Sequence, residues 1–175
     1  MNKSFLLLFI TIATLMTSCD WLTGESDHSP EMYSSYFYVN PIFRGDSIVS
    51  AKDTLFARTT EIEDQFLLDS LALGDTVWFA TTFYSYEQDL TSISAEWDTT
   101  RMDFNFNLTE VITKHLTEAS DVEQCKLFFN PGFNRVSFPC TFTATGYGVL
   151  STKLTVASTS EFSPTIIYLT VPIKR

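Results

Sequence analysis

From Met32 onward the chain alternates apolar and polar residues with a period of two. The runs are short and rich in aromatic and β-branched residues: "MYSSYFYVNPIF", "DTLFART", "DQFLLDSLAL", "DTVWFATTFYSY", "LTSISAEWD", "RMDFNFNL", "CKLFF", "RVSFPCTFTAT", "VLSTKLTVAS" and "PTIIYLTVPI". A period of two sends successive side chains to opposite faces, which suits a half-buried strand and not a helix. Asp, Ser, Gly and Asn interrupt the runs at the spacing of a strand-turn-strand chain. The expected fold is all-β, an antiparallel sandwich over residues 32–175. Only residues 108–120, "LTEVITKHLTEAS", depart from the pattern. There Val111, Ile112, His115 and Leu116 share a helical face and Thr109 is placed to cap it, so a short helix competes with a strand or an irregular crossover.

The 16 Phe residues and a 45% hydrophobic content supply a core for one domain. The formal charge of −10 opposes binding to the phosphates of nucleic acid. No Gly-x-Ser-x-Gly elbow, phosphate loop, His-Glu-x-x-His or Cys-x-x-Cys occurs. His28 reads as a solvated linker residue, and His115 as a structural one without an oriented nucleophile. Glu61, Glu63 and Asp64 form the densest acidic cluster, which reads as a solvated turn and not as a Ca²⁺ loop. These features point to a non-enzymatic protein, and imply neither a metal nor a cofactor. A small hydrolase would need a pocket with a positioned acid or base pair.

The N-terminus "MNKSFLLLFITIATLMTSC" has a basic Lys3, an apolar core from Phe5 to Leu15, and small residues before Cys19. That core is shorter than the about 20 residues needed to span a bilayer. The segment resembles the lipobox signal of bacterial lipoproteins, with Met16 where Leu is usual. The resemblance implies a signal peptide over residues 1–18, acylation of Cys19, and a cell-envelope protein held by that lipid, at the outer membrane. Residues 19–31, polar and with Gly and Pro, read as a tether. Asp20 resembles an inner-membrane retention signal in enteric bacteria and a surface-export signal in Bacteroidota-type cells, so it does not fix the side of the outer membrane.

Using Cys19 for the lipid leaves Cys125 and Cys140 as an even pair in an oxidising compartment. "CKLFFNPGFNRVSFPC" carries a strong turn signal at Asn130-Pro131-Gly132. A hairpin about that turn would oppose Phe129 to Val136, Leu127 to Phe138 and Cys125 to Cys140, within disulfide reach. A Cys125–Cys140 disulfide is therefore expected. Pro139 lacks an N–H and should face an open edge or a bulge.

"LALGDTVWF", "LTSISAEWD" and "TFTATGYGVLSTKLTV" resemble immunoglobulin-like modules of Bacteroidota-type lipoproteins. By that resemblance Gly74-Asp75-Thr76 opens a strand, Trp97 ends one, and Gly146-Tyr147-Gly148 turns the last hairpin. The resemblance implies a fold and not a function. The triplets at Asp46-Ser47, Asp53-Thr54, Asp69-Ser70, Asp75-Thr76 and Asp98-Thr99 resemble O-glycosylation motifs of such proteins, with Ser47, Thr54, Ser70, Thr76 and Thr99 as acceptors. Asp-Ser/Thr pairs also start turns and strands without modification.

Tyr36 and Tyr38 alternate on one strand face, and Trp78 and Tyr84 on another. On a solvent-facing sheet they would form a platform for sugar rings; inside the sandwich they would be core. The function expected from the sequence is thus a lipid-anchored binding or structural role with an envelope protein as partner. The alternative is capture of a glycan by these four aromatics.

Overall fold

The computed structural model describes residues 28–56, 58–59 and 65–175. The signal segment, Cys19, most of the tether and the Glu61/Glu63/Asp64 cluster lie outside the described residues.

The strands are β1 (Glu31–Val39), β2 (Ile42–Arg44), β3 (Ser47–Ser50), β4 (Asp53–Leu55), β5 (Arg58–Thr59), β6 (Gln65–Leu67) and β7 (Leu71–Ala72). They continue with β8 (Thr76–Tyr84), β9 (Leu90–Trp97), β10 (Met102–Phe106), β11 (Lys126–Phe128), β12 (Arg135–Ala144), β13 (Gly148–Ser158) and β14 (Thr165–Lys174). One sheet runs β10-β12-β8-β1-β4; the larger runs β11-β9-β13-β14-β6-β5, with β7 also beside β14. β2 and β3 form a separate hairpin. The protein is an all-β sandwich, as its periodicity predicts. Among the described residues, pairing is antiparallel except where β14 meets β6 and β7 in parallel.

Alternation explains the layers. On β8, Val77, Phe79, Thr81 and Phe83 are buried, while Trp78, Ala80, Thr82 and Tyr84 point outward. On β12, Val136, Phe138, Cys140, Phe142 and Ala144 are buried. The smaller sheet therefore presents a phenylalanine layer: Phe79 lies 4.7 Å from Phe37 and 6.4 Å from Phe142, and Phe83 lies 5.3 Å from Phe138. The larger sheet answers with aliphatic side chains, among them Ile93, Leu154, Val156, Leu169 and Val171. Each such side chain, fully buried, contributes about 1.5–3 kcal/mol. Trp97 of β9 reaches Phe104 of β10 at 5.5 Å, joining the two sheets.

Two turns lock together at one end. Thr145 and Gly146 both donate backbone N–H to the Arg101 carbonyl, at 2.8 and 2.9 Å. A Cβ on Gly146 would sit 2.5 Å from Arg101 Cγ and 3.1 Å from its Cα, so this approach needs glycine. The preceding turn is set by Asp98, which accepts from Thr100 Oγ1 at 2.6 Å and Arg101 Nε at 2.7 Å. These bonds hold the Asp98 carboxyl down at about 2.

Of the alternatives open for residues 108–120, a helix forms, and it is one turn, α1 (Glu110–Thr113). Thr109 occupies the cap position without a side-chain bond to the helix. Ile112 is buried and Leu116 half-buried, but Val111 and His115 are exposed. The helical face is narrower than the sequence suggests, because a single turn has room for one inward stripe.

The hairpin expected around Asn130-Pro131-Gly132 does not form. β11 pairs with β9 in the larger sheet, setting Leu127 against Ile93. β12 pairs with β8 and β10 in the smaller sheet, setting Val136 against Phe83 and Cys140 against Phe106. The turn residues belong to a crossover between layers. Both flanking runs are apolar on one face, and each finds a longer partner elsewhere than its sequence neighbour. Likewise Gly146-Tyr147-Gly148 connects β12 to β13, which lie in different sheets, and the last hairpin is β13–β14. Gly74-Asp75-Thr76 does open β8, and Trp97 does end β9. Pro139 meets its constraint. Its carbonyl accepts from Asn107 N–H at 2.8 Å, so its nitrogen faces the same side, just past Phe106 where β10 ends.

Cys125 and Cys140 are accordingly free thiols, both buried, and the expected disulfide is absent. Cys125 adopts a left-handed backbone, φ 48°, just ahead of β11, and its Sγ donates to the Phe104 carbonyl at 3.8 Å. Burial pushes the Cys125 thiol up to about 11 and the Cys140 thiol well above its ordinary value. A protonated, buried thiol is a poor nucleophile. Both cysteines should therefore resist iodoacetamide at pH 8 in the native protein and alkylate once urea unfolds it. Peptide mapping by mass spectrometry checks this; a Cys125–Cys140 cross-linked peptide would refute it.

Candidate functional site

The outer face of the smaller sheet is built from three adjacent strands. Pairing sets Tyr38 beside Trp78, Tyr33 beside Thr82, and Glu31 beside Tyr84 on β1 and β8. On the other side of β8, Thr141 lies beside Trp78 and Ser137 beside Thr82. Tyr33 and Phe37 are four residues apart and would share a face in a regular strand. A shift in register between Ser34 and Phe37 separates them. Such a bulge re-phases the strand. Phe37 thereby enters the core while Tyr33 and Tyr36 stay outside, 54% and 49% exposed.

The result is a groove of about 450 Å³ lined by Tyr33, Ser34, Tyr36, Tyr38, Trp78, Ala80, Thr81, Thr82 and Ser137. One wall is aromatic. Tyr36 and Tyr38 have ring centroids 6.3 Å apart, and Tyr38 and Trp78 6.0 Å apart. Two further rings brace this wall edge-on: Phe56 against Tyr36 at 5.4 Å, and Phe43 of the β2–β3 hairpin against Trp78 at 5.8 Å. The opposite side carries hydroxyls. Thr82 Oγ1 and Ser137 Oγ share a hydrogen bond of 2.7 Å. Ser34 Oγ donates to the Ala80 carbonyl at 3.0 Å, which closes the bulge. Such a surface offers ring faces for C–H groups and hydroxyls that both donate and accept.

Three of the four predicted platform residues thus meet: Tyr36, Tyr38 and Trp78. Tyr84 does not join them. It packs on Tyr86 at 4.7 Å, and Tyr86 packs on His28 at 5.0 Å. The Tyr86 hydroxyl donates to Glu31, which raises its pKa above the ordinary tyrosine value. His28, Glu31 and Tyr86 line a separate hollow with Phe162 and Pro164. His28 is thus in ring contact with the domain, closer to it than a linker reading implies. Tyr33, Phe43 and Phe56 were not foreseeable as partners, because the bulge and the β2–β3 hairpin are tertiary features.

The remaining candidates fall elsewhere. His115 is exposed and lies against Phe133 at 4.4 Å. Ser47 and Thr99 are exposed, on the β2–β3 hairpin and in the turn after β9. Thr54, Ser70 and Thr76 are half-buried, and Thr76 Oγ1 is bonded to Thr143 Oγ1 at 2.8 Å. Among the described residues, no group of three or more His, Cys, Asp or Glu is placed to hold a metal ion. No helix among them is long and apolar enough to cross a membrane.

No protein-family profile and no curated protein matches the chain significantly. Solved structures resemble it only distantly. The secreted serine protease VesC from Vibrio cholerae matches 68% of this chain at 10% identity, with a TM-score of 0.41. This chain spans 23% of that protein. A family 123 glycoside hydrolase from Clostridium perfringens matches 63% of this chain at 6% identity and TM-score 0.38, over 22% of its own length. The cupredoxin domain of amoB from Nitrosocaldus yellowstonii matches 57% at 11% identity and TM-score 0.35, over 56% of its own length. At TM-scores this low, none of them bears on what this chain does.

Proposed function

We propose that this chain is a lipid-anchored, non-enzymatic cell-envelope protein whose sandwich binds a saccharide on the outer face of its smaller sheet. The anchor is Cys19, read from the lipobox-like signal. One observation carries the binding reading: Tyr36, Tyr38 and Trp78 gather in a groove whose other side is hydroxyl-bearing. Large aromatics spent on a solvent-facing groove do not serve the core. Sugars present apolar C–H faces and hydroxyl edges together, and this groove answers both. The walls are braced by Phe43 and Phe56, so the rings are held before a ligand arrives, which lowers the ordering cost of binding.

A glycan array probed with the full-length chain tests the reading. Binding should fall at least about tenfold, or 1.4 kcal/mol, in Trp78→Ala and in Tyr36→Ala, while Tyr84→Ala keeps it. An array silent towards every glycan would sink the saccharide assignment. Fatty-acid labelling in cells should be lost in Cys19→Ala; labelling that persists would sink the anchor.

A further inference from the structure

The groove also restricts which saccharides it can take. We infer that it selects a single, uncharged polysaccharide chain, an inference that rests on the saccharide reading above.

The charge argument comes from the lining. None of the nine residues around the groove is Asp, Glu, Lys, Arg or His. Recognition of uronates or sulfated sugars relies on Arg or Lys to pair the anion, often in bidentate fashion. Here the polar contributions are hydroxyls, from Ser34, Thr82, Ser137 and the tyrosines, which suit neutral sugar hydroxyls. The chain's formal charge of −10 adds a long-range field that disfavours approach of a polyanion.

The geometry argues for one chain. The Tyr36 and Tyr38 ring planes differ by 33°, and those of Tyr38 and Trp78 by 49°. Rings so far from coplanar cannot lie together on a flat crystalline face. They cradle a strand that turns as it passes. Along β8 the groove runs from Trp78 to Thr82, roughly 13 Å at the rise of a strand, room for about three sugar rings. Ala80, small and exposed, forms the floor between them.

Affinity electrophoresis of the full-length chain tests this in native gels containing soluble polymers. The neutral set is mixed-linkage β-glucan, galactomannan and mannan; the anionic set is polygalacturonate and alginate. Crystalline cellulose is tested by sedimentation. The expected result is retardation by at least one neutral polymer, mobility unchanged by either polyuronate, and protein left in the supernatant over cellulose. The retardation should be lost in Trp78→Ala and in Tyr36→Ala, the latter a half-exposed position whose truncation leaves the fold intact. Retardation by a polyuronate equal to or stronger than by the neutral set, or co-sedimentation with cellulose, overturns this inference and leaves the saccharide reading standing. Neutral retardation that both variants retain overturns the location. No retardation in any gel, together with a silent array, removes the saccharide reading itself.

Discussion

Phe79→Ala should lower the unfolding free energy by about 3–5 kcal/mol, the cost of a large-to-small change at a closely packed aromatic site. Phe79 sits at the middle of β8, itself the middle strand of the smaller sheet, and is fully buried. Its ring touches Phe37 on one neighbouring strand and Phe142 on the other. Removing it opens a void that β1 and β12 cannot both close, since each is held by its own register. Against a total stability of about 5–15 kcal/mol for a domain, the variant would stand close to its unfolding threshold. Urea titration checks this through the midpoint, with the slope unchanged. A loss below about 1 kcal/mol would mean that the layer repacks. The adjacent Trp78→Ala makes the contrast: it faces outward, and its effect should fall on ligand binding.

Asp75→Ala should cost about 2–3 kcal/mol, from the loss of bonds to a charged group and the donors left without an acceptor. Asp75 is buried at the start of β8 and gathers three segments. Lys52 Nζ donates to both its oxygens at 2.8 and 2.9 Å, Asn40 Nδ2 donates at 2.8 Å, and the Ala72 N–H at 3.0 Å. Lys52 is more than half exposed, so its ion pair is screened and the figure stays below that of a fully buried pair. Burial pushes the Asp75 carboxyl up, but the bonds from Lys52, Ala72 and Asn40 together outweigh it and hold it below its ordinary value of 3.8. The sign follows. A carboxyl whose folded pKa is depressed contributes stability above its unfolded value, and that contribution fades as pH falls through the folded one. The gap between wild type and Asp75→Ala should thus be constant above about pH 5 and narrow below about pH 3.8. Urea midpoints of both proteins across pH 6 to pH 3 measure it. A gap that widens towards acid would contradict the assignment.

The layers of this protein are written in a local signal. Val77, Phe79, Thr81 and Phe83 against Trp78, Ala80, Thr82 and Tyr84 is an alternation that needs no tertiary knowledge, and it places the core side of β8 correctly. The same holds for Val136 to Ala144. Pairing is different, because many apolar strand faces are interchangeable until distant segments compete. Leu127 could have faced Phe138, and in the fold it faces Ile93. The cysteine pairing followed that error, since it rested on the hairpin. The groove was half visible for a related reason. Tyr36, Tyr38 and Trp78 could be grouped by parity, but parity also enlisted Tyr84, which lies farther along β8 and is claimed by Tyr86. Tyr33 was hidden by a bulge that inverts parity between Ser34 and Phe37, and Phe43 and Phe56 by chain reversals that no period reveals.

The strand order has a consequence in time. β8 cannot be flanked on both sides until β12 has been made, and β14 joins β13 to segments roughly a hundred residues earlier, β6 and β7. Neither sheet can be finished by zipping up neighbours. Folding must wait for encounters between remote parts of the chain, the regime in which rates fall to the millisecond-to-second range. During that wait the phenylalanine faces of β8 and β12 are open to other chains. A polypeptide with this topology is most vulnerable to aggregation in the interval between its synthesis and the closing of both sheets.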